Sequence, residues 1–221
     1  MTHTTTLEPL EVDQWFVDSS ELRSFVSIVQ KIVSTTRDRA ETLTTLEPYF
    51  SQLLKQEGWL PERFAQPNSD SVMGSSIGQW LLYRAKDRSL TIFSLVIPPG
   101  STTPIHDHLS WGLVGLYKGG QEETVYRRVD SGELEGHAQL EMIDVYQVKK
   151  GRVYHILPPD QDIHSVKATT VFTPSVSIHV MGNDTGSVWR HQYNLEAQSV
   201  RAFRSGYSNA PCQGERGSKI S

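Results

Sequence analysis

Between Ile77 and Asn194 the chain is a succession of short runs rich in Val, Ile, Tyr and Thr, each closed by a turn signal. The runs are Trp80–Tyr83, Leu90–Ile97, Gly112–Tyr117, Glu122–Arg128, Val145–Val148, Val153–Ile156, Ser165–Ala168, Val171–Val180 and Val188–Tyr193. Between them stand Pro98-Pro99-Gly100, Lys118-Gly119-Gly120, Asp130-Ser131-Gly132, Lys149-Lys150-Gly151, Pro158-Pro159-Asp160 and Gly182-Asn183-Asp184. About nine strands at such spacing predict an all-β sandwich or barrel, because no run is long enough to cross a domain as a helix.

A different period precedes the strands. Leu22, Phe25, Val26, Ile28, Val29, Ile32 and Val33, then Leu43, Leu46, Phe50 and Leu53, recur every three or four residues, which predicts two amphipathic helices. Ser19 or Ser20 ahead of Glu21 offers an N-cap, and Pro61 a stop. The chain therefore divides into an N-terminal segment (1–18), a helical part (19–60), a barrel (61–204) and a tail (205–221). Ser, Gly, Asn and Gln dominate that tail, so it is expected to be flexible.

Composition narrows the chemistry. Twenty-one Lys and Arg against 25 Asp and Glu give a net charge of −4, with no basic run that would track phosphates, so nucleic acid is not an expected partner. No window approaches the roughly 18 apolar residues of a membrane span. The Thr-rich stretch Met1–Leu10 has neither a basic flank nor an apolar signal core, so a cytoplasmic location is expected and a membrane is not. The one cysteine, Cys212, lies in the polar tail, which leaves imidazole and carboxylate as the available metal ligands.

The segment Gly100–Gly119, GSTTPIHDHLSWGLVGLYKG, carries His106 and His108 two residues apart. On a strand, positions i and i+2 share a face about 7 Å apart, so both imidazoles can converge on one ion while Asp107 turns away. His164, in PPDQDIHSVKA, follows a Pro-rich turn at the start of another expected strand and is the third candidate. Three neutral imidazoles would leave a divalent ion its full charge and open positions for an anion and a small molecule such as O₂.

Gly100, the His pair and Gly119, followed by Gly151, Pro158, Pro159 and His164, look like the two cupin motifs. IHDHLSWGLVGLYKG, PPDQDIHSV and SVSIHVMGNDTGSVWRH together resemble the cysteine dioxygenase family of cupins, the thiol dioxygenases, over roughly Gly78 to Tyr193. An ordinary cupin has a Glu ligand shortly after its His pair; this chain has Ser110-Trp111-Gly112 there, as a three-histidine site would. The resemblance implies an all-β cupin barrel (a double-stranded β-helix, or jelly roll) with N-terminal helices packed on it. It also implies Fe(II) on His106, His108 and His164, and oxidation of a small thiol by O₂ to its sulfinate, with no obligate protein partner.

The same resemblance assigns an outer row. The family's Ser-x-His-x-Tyr corresponds to Ser177, His179 and Met181, whose alternation places them on one face, so that Ser177 can orient His179. Met181 has no donor where the family has a phenol; Tyr117, Tyr126 or Tyr154 replaces it only if the fold brings one there. Arg190 matches the arginine that the bacterial 3-mercaptopropionate branch sets against the substrate carboxylate, and Gln79 matches that branch's glutamine. Arg84, the nearest arginine to the position the animal cysteine dioxygenases use, aligns poorly, and no Cys lies in the barrel to form their thioether crosslink. The substrate class implied is a carboxylate-bearing thiol, 3-mercaptopropionate before cysteine; the contrasting expectation, since Met181 removes a donor, is a cupin that binds a metal or ligand without turnover.

Overall fold

The computed structural model describes residues 7–211. Its strands are β1 (Gln14–Trp15), β2 (Gly78–Arg84), β3 (Thr91–Ile97), β4 (Ile105–His106), β5 (Gly112–Lys118), β6 (Gly120–Arg128), β7 (Leu140–Lys149), β8 (Val153–Ile156), β9 (Ile163–Ala168), β10 (Ser175–Met181), β11 (Arg190–Asn194) and β12 (Ser199–Phe203). Two helices, α1 (Ser20–Thr35) and α2 (Arg39–Lys55), lie between β1 and β2, and a short 3₁₀ turn, Glu62–Ala65, follows Pro61.

Both helices begin where the side chains can satisfy their first free N–H groups. Ser19 accepts from the Leu22 N–H at 3.2 Å and Asp38 from that of Glu41 at 2.8 Å. Leu22, Phe25, Val26 and Val29 from α1 meet Leu43, Leu46, Phe50, Leu53 and Leu54 from α2 in one buried cluster, so the three-and-four spacing marks the face that packs.

The strands form two antiparallel six-stranded sheets in the orders β1-β2-β3-β10-β5-β8 and β12-β11-β4-β9-β6-β7. Alternation in the first sheet divides two cores. Val176, Ile178 and Val180 of β10, with Ile92 and Val96 of β3 and Leu113 and Tyr117 of β5, join the helical cluster. The opposite face sends Phe93, Leu95, Ile97, Val114, Ile156 and Met181 inward, where Val166 and Ala168 of the second sheet meet them. Helices on one face and a second sheet on the other make this an all-β sandwich with helices packed on it. At Gly115 of β5 a side chain would collide with Phe50 and Leu54, so this glycine lets α2 lie directly on the sheet.

Two strands were not foreseen, β1 and β12, edge pieces whose pairing is set by neighbours rather than by their own pattern, and the strand expected to carry both His106 and His108 is only the two-residue β4. The expected run Val145–Val148 extends to Leu140–Lys149, and β7 is an outer strand of its sheet with Met142, Ile143, Val145 and Tyr146 exposed, so it lacks an inward–outward alternation.

The expectation of a flexible segment from Ser205 onward does not hold for residues 205–211. Ser205 and Ala210 are buried, Ser208 accepts from the Gln79 N–H at 3.1 Å, and the Asn209 side-chain amide pairs with both polar backbone groups of Leu81 at 2.9 Å. The polar residues that made this stretch look like a tail serve instead as backbone partners along β2. Cys212 and the rest of the tail, residues 212–221, lie outside the described residues.

Candidate metal centre

His106 on β4 and His164 on β9 are direct cross-strand partners, which places their imidazoles side by side on the inner face of the second sheet. His108 does not share a strand with His106, since β4 ends at His106; it enters from the turn that follows. Asp162 holds that turn, one carboxylate oxygen accepting from the His108 N–H at 2.8 Å and the other from Leu109 at 3.0 Å. Burial raises the Asp162 pKa against these two donors. Asp107 turns away as expected and accepts from the His191 backbone N–H and pairs with its Nδ1, both at 2.7 Å, and from the Tyr193 hydroxyl at 3.0 Å.

The three rings form an equilateral set, each pair of centroids 4.9 Å apart, and one nitrogen of each lies within 4.8 Å of the others. Their outer nitrogens are turned away: His106 Nδ1 lies 2.8 Å from the Pro104 carbonyl and His164 Nδ1 2.7 Å from Glu123 Oε1. His108 Nδ1 faces the Asp162 carbonyl at a longer 3.4 Å. Such partners fix the tautomer that leaves Nε2 free to ligate, and His164 Nε2 is buried with no hydrogen-bond partner among the described residues. Burial pushes His106 and His108 well below the usual imidazole pKa, and the neighbouring imidazoles and Arg190 add to the effect. A buried, convergent nitrogen set fits a divalent cation, and the three histidines are the residues that would hold it.

Across the interior, Ser177 and His179 project from β10 toward the histidines, and Ser177 Oγ lies 3.1 Å from His179 Nε2. Phe93 stacks on the His179 ring at 4.6 Å, and His179 Nδ1 is buried and unpartnered. Burial first, then His108, His164 and Arg190, keep this imidazole neutral. Met181 lies inward from the same strand and covers Gly112.

Arg190 is fully enclosed. Its Nε donates to the Thr185 carbonyl at 3.3 Å, Nη1 to the Asp107 carbonyl at 2.7 Å and Nη2 to Ser205 Oγ at 2.8 Å, which leaves one N–H on each terminal nitrogen. Burial lowers its pKa to about 10, so it remains charged at neutral pH. Gln79 donates to the same Ser205 hydroxyl at 3.1 Å, so the two residues singled out on β2 and β11 meet through a serine that sequence reasoning placed in the tail. Arg84, by contrast, pairs with the buried Asp184 at 3.2 Å. A cavity of about 50 Å³ borders Gln79, Ser205, Tyr207, Met73 and Ile77; the larger one, about 260 Å³, lies between α1 and α2 and contains none of the candidate residues.

Sequence reasoning missed Glu123, Asp162, Ser205 and the placement of Tyr154. Of the three tyrosines considered, Tyr154 is the one in ring contact with a candidate ligand, edge-on to His164 with centroids 6.4 Å apart.

No protein-family model matches the chain. Among solved structures it is similar to a cupin 2 domain-containing protein from Halorhodospira halophila, at 14% identity over 58% of this chain and 69% of that one, with a TM-score of 0.38. It is similar also to a protein with a double-stranded β-helix domain from Klebsiella pneumoniae, at 11% identity over 59% and 87% of the two chains, with a TM-score of 0.41. A third, oxalate oxidase in complex with the substrate analogue glycolate, matches at 17% identity over 53% and 55%, with a TM-score of 0.39. Likenesses at this level say nothing of chemistry. The two facing sheets and the histidine triad themselves define the class: a double-sheet β fold with a three-histidine site that can hold a metal. No described helix is long and apolar enough to cross a membrane.

Proposed function

We propose that the chain is a non-haem iron thiol dioxygenase acting on a small thiol that bears a carboxylate, 3-mercaptopropionate before cysteine. The observation that carries this reading is the donor set: three imidazoles converge with no carboxylate among them, and the carboxylates nearest the ligand rings, Glu123 behind His164 and Asp162 beside His108, face their outer Nδ1 atoms. Such a set keeps the cation's charge available to a thiolate, whose soft sulfur suits iron.

Bound Fe(II) would supply the redox centre at which thiolate and O₂ meet. The reaction is RSH + O₂ → RSO₂H: the S–H and O–O bonds break, both oxygens end on sulfur, and sulfur loses the electrons that O₂ gains. This chain's residues provide the rest. Arg190, charged and held on three sides, offers its two remaining N–H groups to a carboxylate; Gln79 and Ser205 set the guanidinium's plane. His179, oriented by Ser177, presents a neutral ring toward the histidines. Phe93, Val114, Ile156 and Met181 form an apolar wall that keeps water from the reacting sulfur.

One observation favours a second reading, a cupin that binds a metal or small ligand and senses it: Met181 offers no donor, and His179 Nδ1 has no hydrogen-bond partner among the described residues. O₂ uptake by anaerobically iron-loaded protein, with 3-mercaptopropionate and with cysteine, separates the two. Uptake matched by sulfinate of the correct mass, and lost together with iron in His164→Ala, is expected; iron bound without uptake on either thiol refutes the dioxygenase and leaves the binding module.

A further inference from the structure

Tyr154 stands in one cross-strand row with the outer-sphere histidine. In the first sheet His179 pairs with Val114, and Val114 pairs with Tyr154, so all three point to the same interior face. Two strand spacings, roughly 10 Å, separate the Cα atoms of His179 and Tyr154. Val153 packs outward in the helical cluster and His155 reaches Glu47 of α2 at 2.8 Å, whereas Tyr154 belongs to the inner cluster with Phe93, Val114 and Met181. Its ring meets His164 edge-on.

The Tyr154 hydroxyl is enclosed and has no hydrogen-bond partner among the described residues. A buried hydroxyl left unpaired costs on the order of 1–3 kcal/mol, a cost a chain keeps where the partner arrives with a ligand. A phenol carries its proton at neutral pH and can therefore donate. Phenylalanine would fill the same apolar space without the penalty.

We infer that Tyr154 is a catalytic residue whose hydroxyl donates a hydrogen bond to the anion or oxygen bound at the open face of the histidine triad, the donor that Met181 does not provide. This rests on the metal-centre reading and assigns the donor to β8 rather than β10. The inner face of the first sheet thus sets a donor at Tyr154 beside a neutral imidazole at His179 and an apolar thioether at Met181, an arrangement that favours a ligand carrying its charge on the Tyr154 side.

Cobalt(II)-loaded protein titrated with azide at constant ionic strength, followed by visible absorption, tests the inference without turnover. Tyr154→Phe should bind Co(II) with the stoichiometry of the native chain, unfold at the same or a higher temperature because an unpaired hydroxyl has been removed, and bind azide at least about tenfold more weakly. Equal azide affinity in the two proteins overturns the inference and leaves the metal centre standing, as does a Co(II) complex of the native chain that takes no azide. A native chain that takes up no Co(II) refutes the metal centre itself, and this inference with it. A fall in Tm with unchanged azide affinity marks Tyr154 as a packing residue.

Discussion

Glu123 gives the metal-centre reading its sharpest test, because it touches the site only through His164. Its carboxylate lies 2.7 Å from His164 Nδ1, both side chains are buried, and among the described residues no second ion pair engages it. Glu123→Gln keeps an amide oxygen that can accept from Nδ1–H but removes the charge; Glu123→Ala removes the acceptor as well. A hydrogen bond to a charged group contributes about 1.5–3 kcal/mol and a neutral one about 0.5–1.5 kcal/mol, so the glutamine should lose about 1–1.5 kcal/mol, close to tenfold in metal affinity. Alanine should approach the hundredfold limit found for outer-sphere partners of ligating histidines.

The metal-free protein responds differently. There the weakened hydrogen bond and the relieved desolvation of a buried carboxylate oppose one another, so apo Glu123→Gln should lower Tm by less than it does in the loaded protein. Competition of Co(II) between the protein and a chromophoric chelator gives the affinities, and thermal unfolding with and without metal gives the stabilities. Equal metal affinity in the native chain and both variants, or an apo Tm that falls in Glu123→Gln as far as the loaded one, would refute the argument and make the pair a structural ion pair.

Three further outcomes follow from the geometry. Arg190→Lys replaces a planar fork by a point charge, so KM for 3-mercaptopropionate should rise at least about tenfold while KM for a thiol without a carboxylate stays put; equal rises on both mean that the fork only braces Ser205 and Thr185. Gly115→Ala would set a methyl 2.8 Å from Phe50 Cε1 and closer still to Leu54, so urea unfolding should show a loss of about 1–3 kcal/mol, and an unchanged midpoint would show that α2 slides freely on β5. Arg128 grips Asp130 through two hydrogen bonds, of 2.8 and 2.9 Å, and holds its carboxyl well below the usual range, aided by the Gln139 and Gly132 N–H groups. With a depressed folded-state value the stabilisation is complete above the unfolded pKa near 3.9 and fades as pH falls through the folded one. Asp130→Asn should therefore lower Tm at pH 7, with the gap closing in acid; a pH-independent gap refutes the assignment.

Much of the sheet was legible because burial on two faces leaves a readable pattern. β3 and β10 alternate between the helical cluster and the interior, and their sequences, TIFSLVI and SVSIHVM, show an apolar register with polar breaks at functional positions. Placing Ser177, His179 and Met181 on one face needed only that period, and the structure has them there. Strand β7 exposes almost all its length, so nothing in its residue order marks its bounds. Helix capping was equally local, since Ser19 and Asp38 act within three residues of themselves.

The triad's supports were hidden for a different reason. Period-two alternation says which residues share a face and never which face is inside. In β6, Gln121, Glu123 and Val125 point inward while Glu122 and Thr124 are half-exposed, so a sequence reader who assumes that carboxylates seek water places Glu123 outside. A metal centre inverts that assumption, because its ligands need polar partners inside the core. Ser205 was misplaced by the same habit applied to a whole segment. A buried guanidinium on β11 requires acceptors; two come from carbonyls nearby, and the third, Ser205 Oγ, comes from a stretch with too little apolar content to look folded. The energetic case for ordering 205–211 thus lies with Arg190 and Gln79 rather than with the segment's own composition, and polar residues flanking a buried charge deserve to be read as its partners before they are read as a tail.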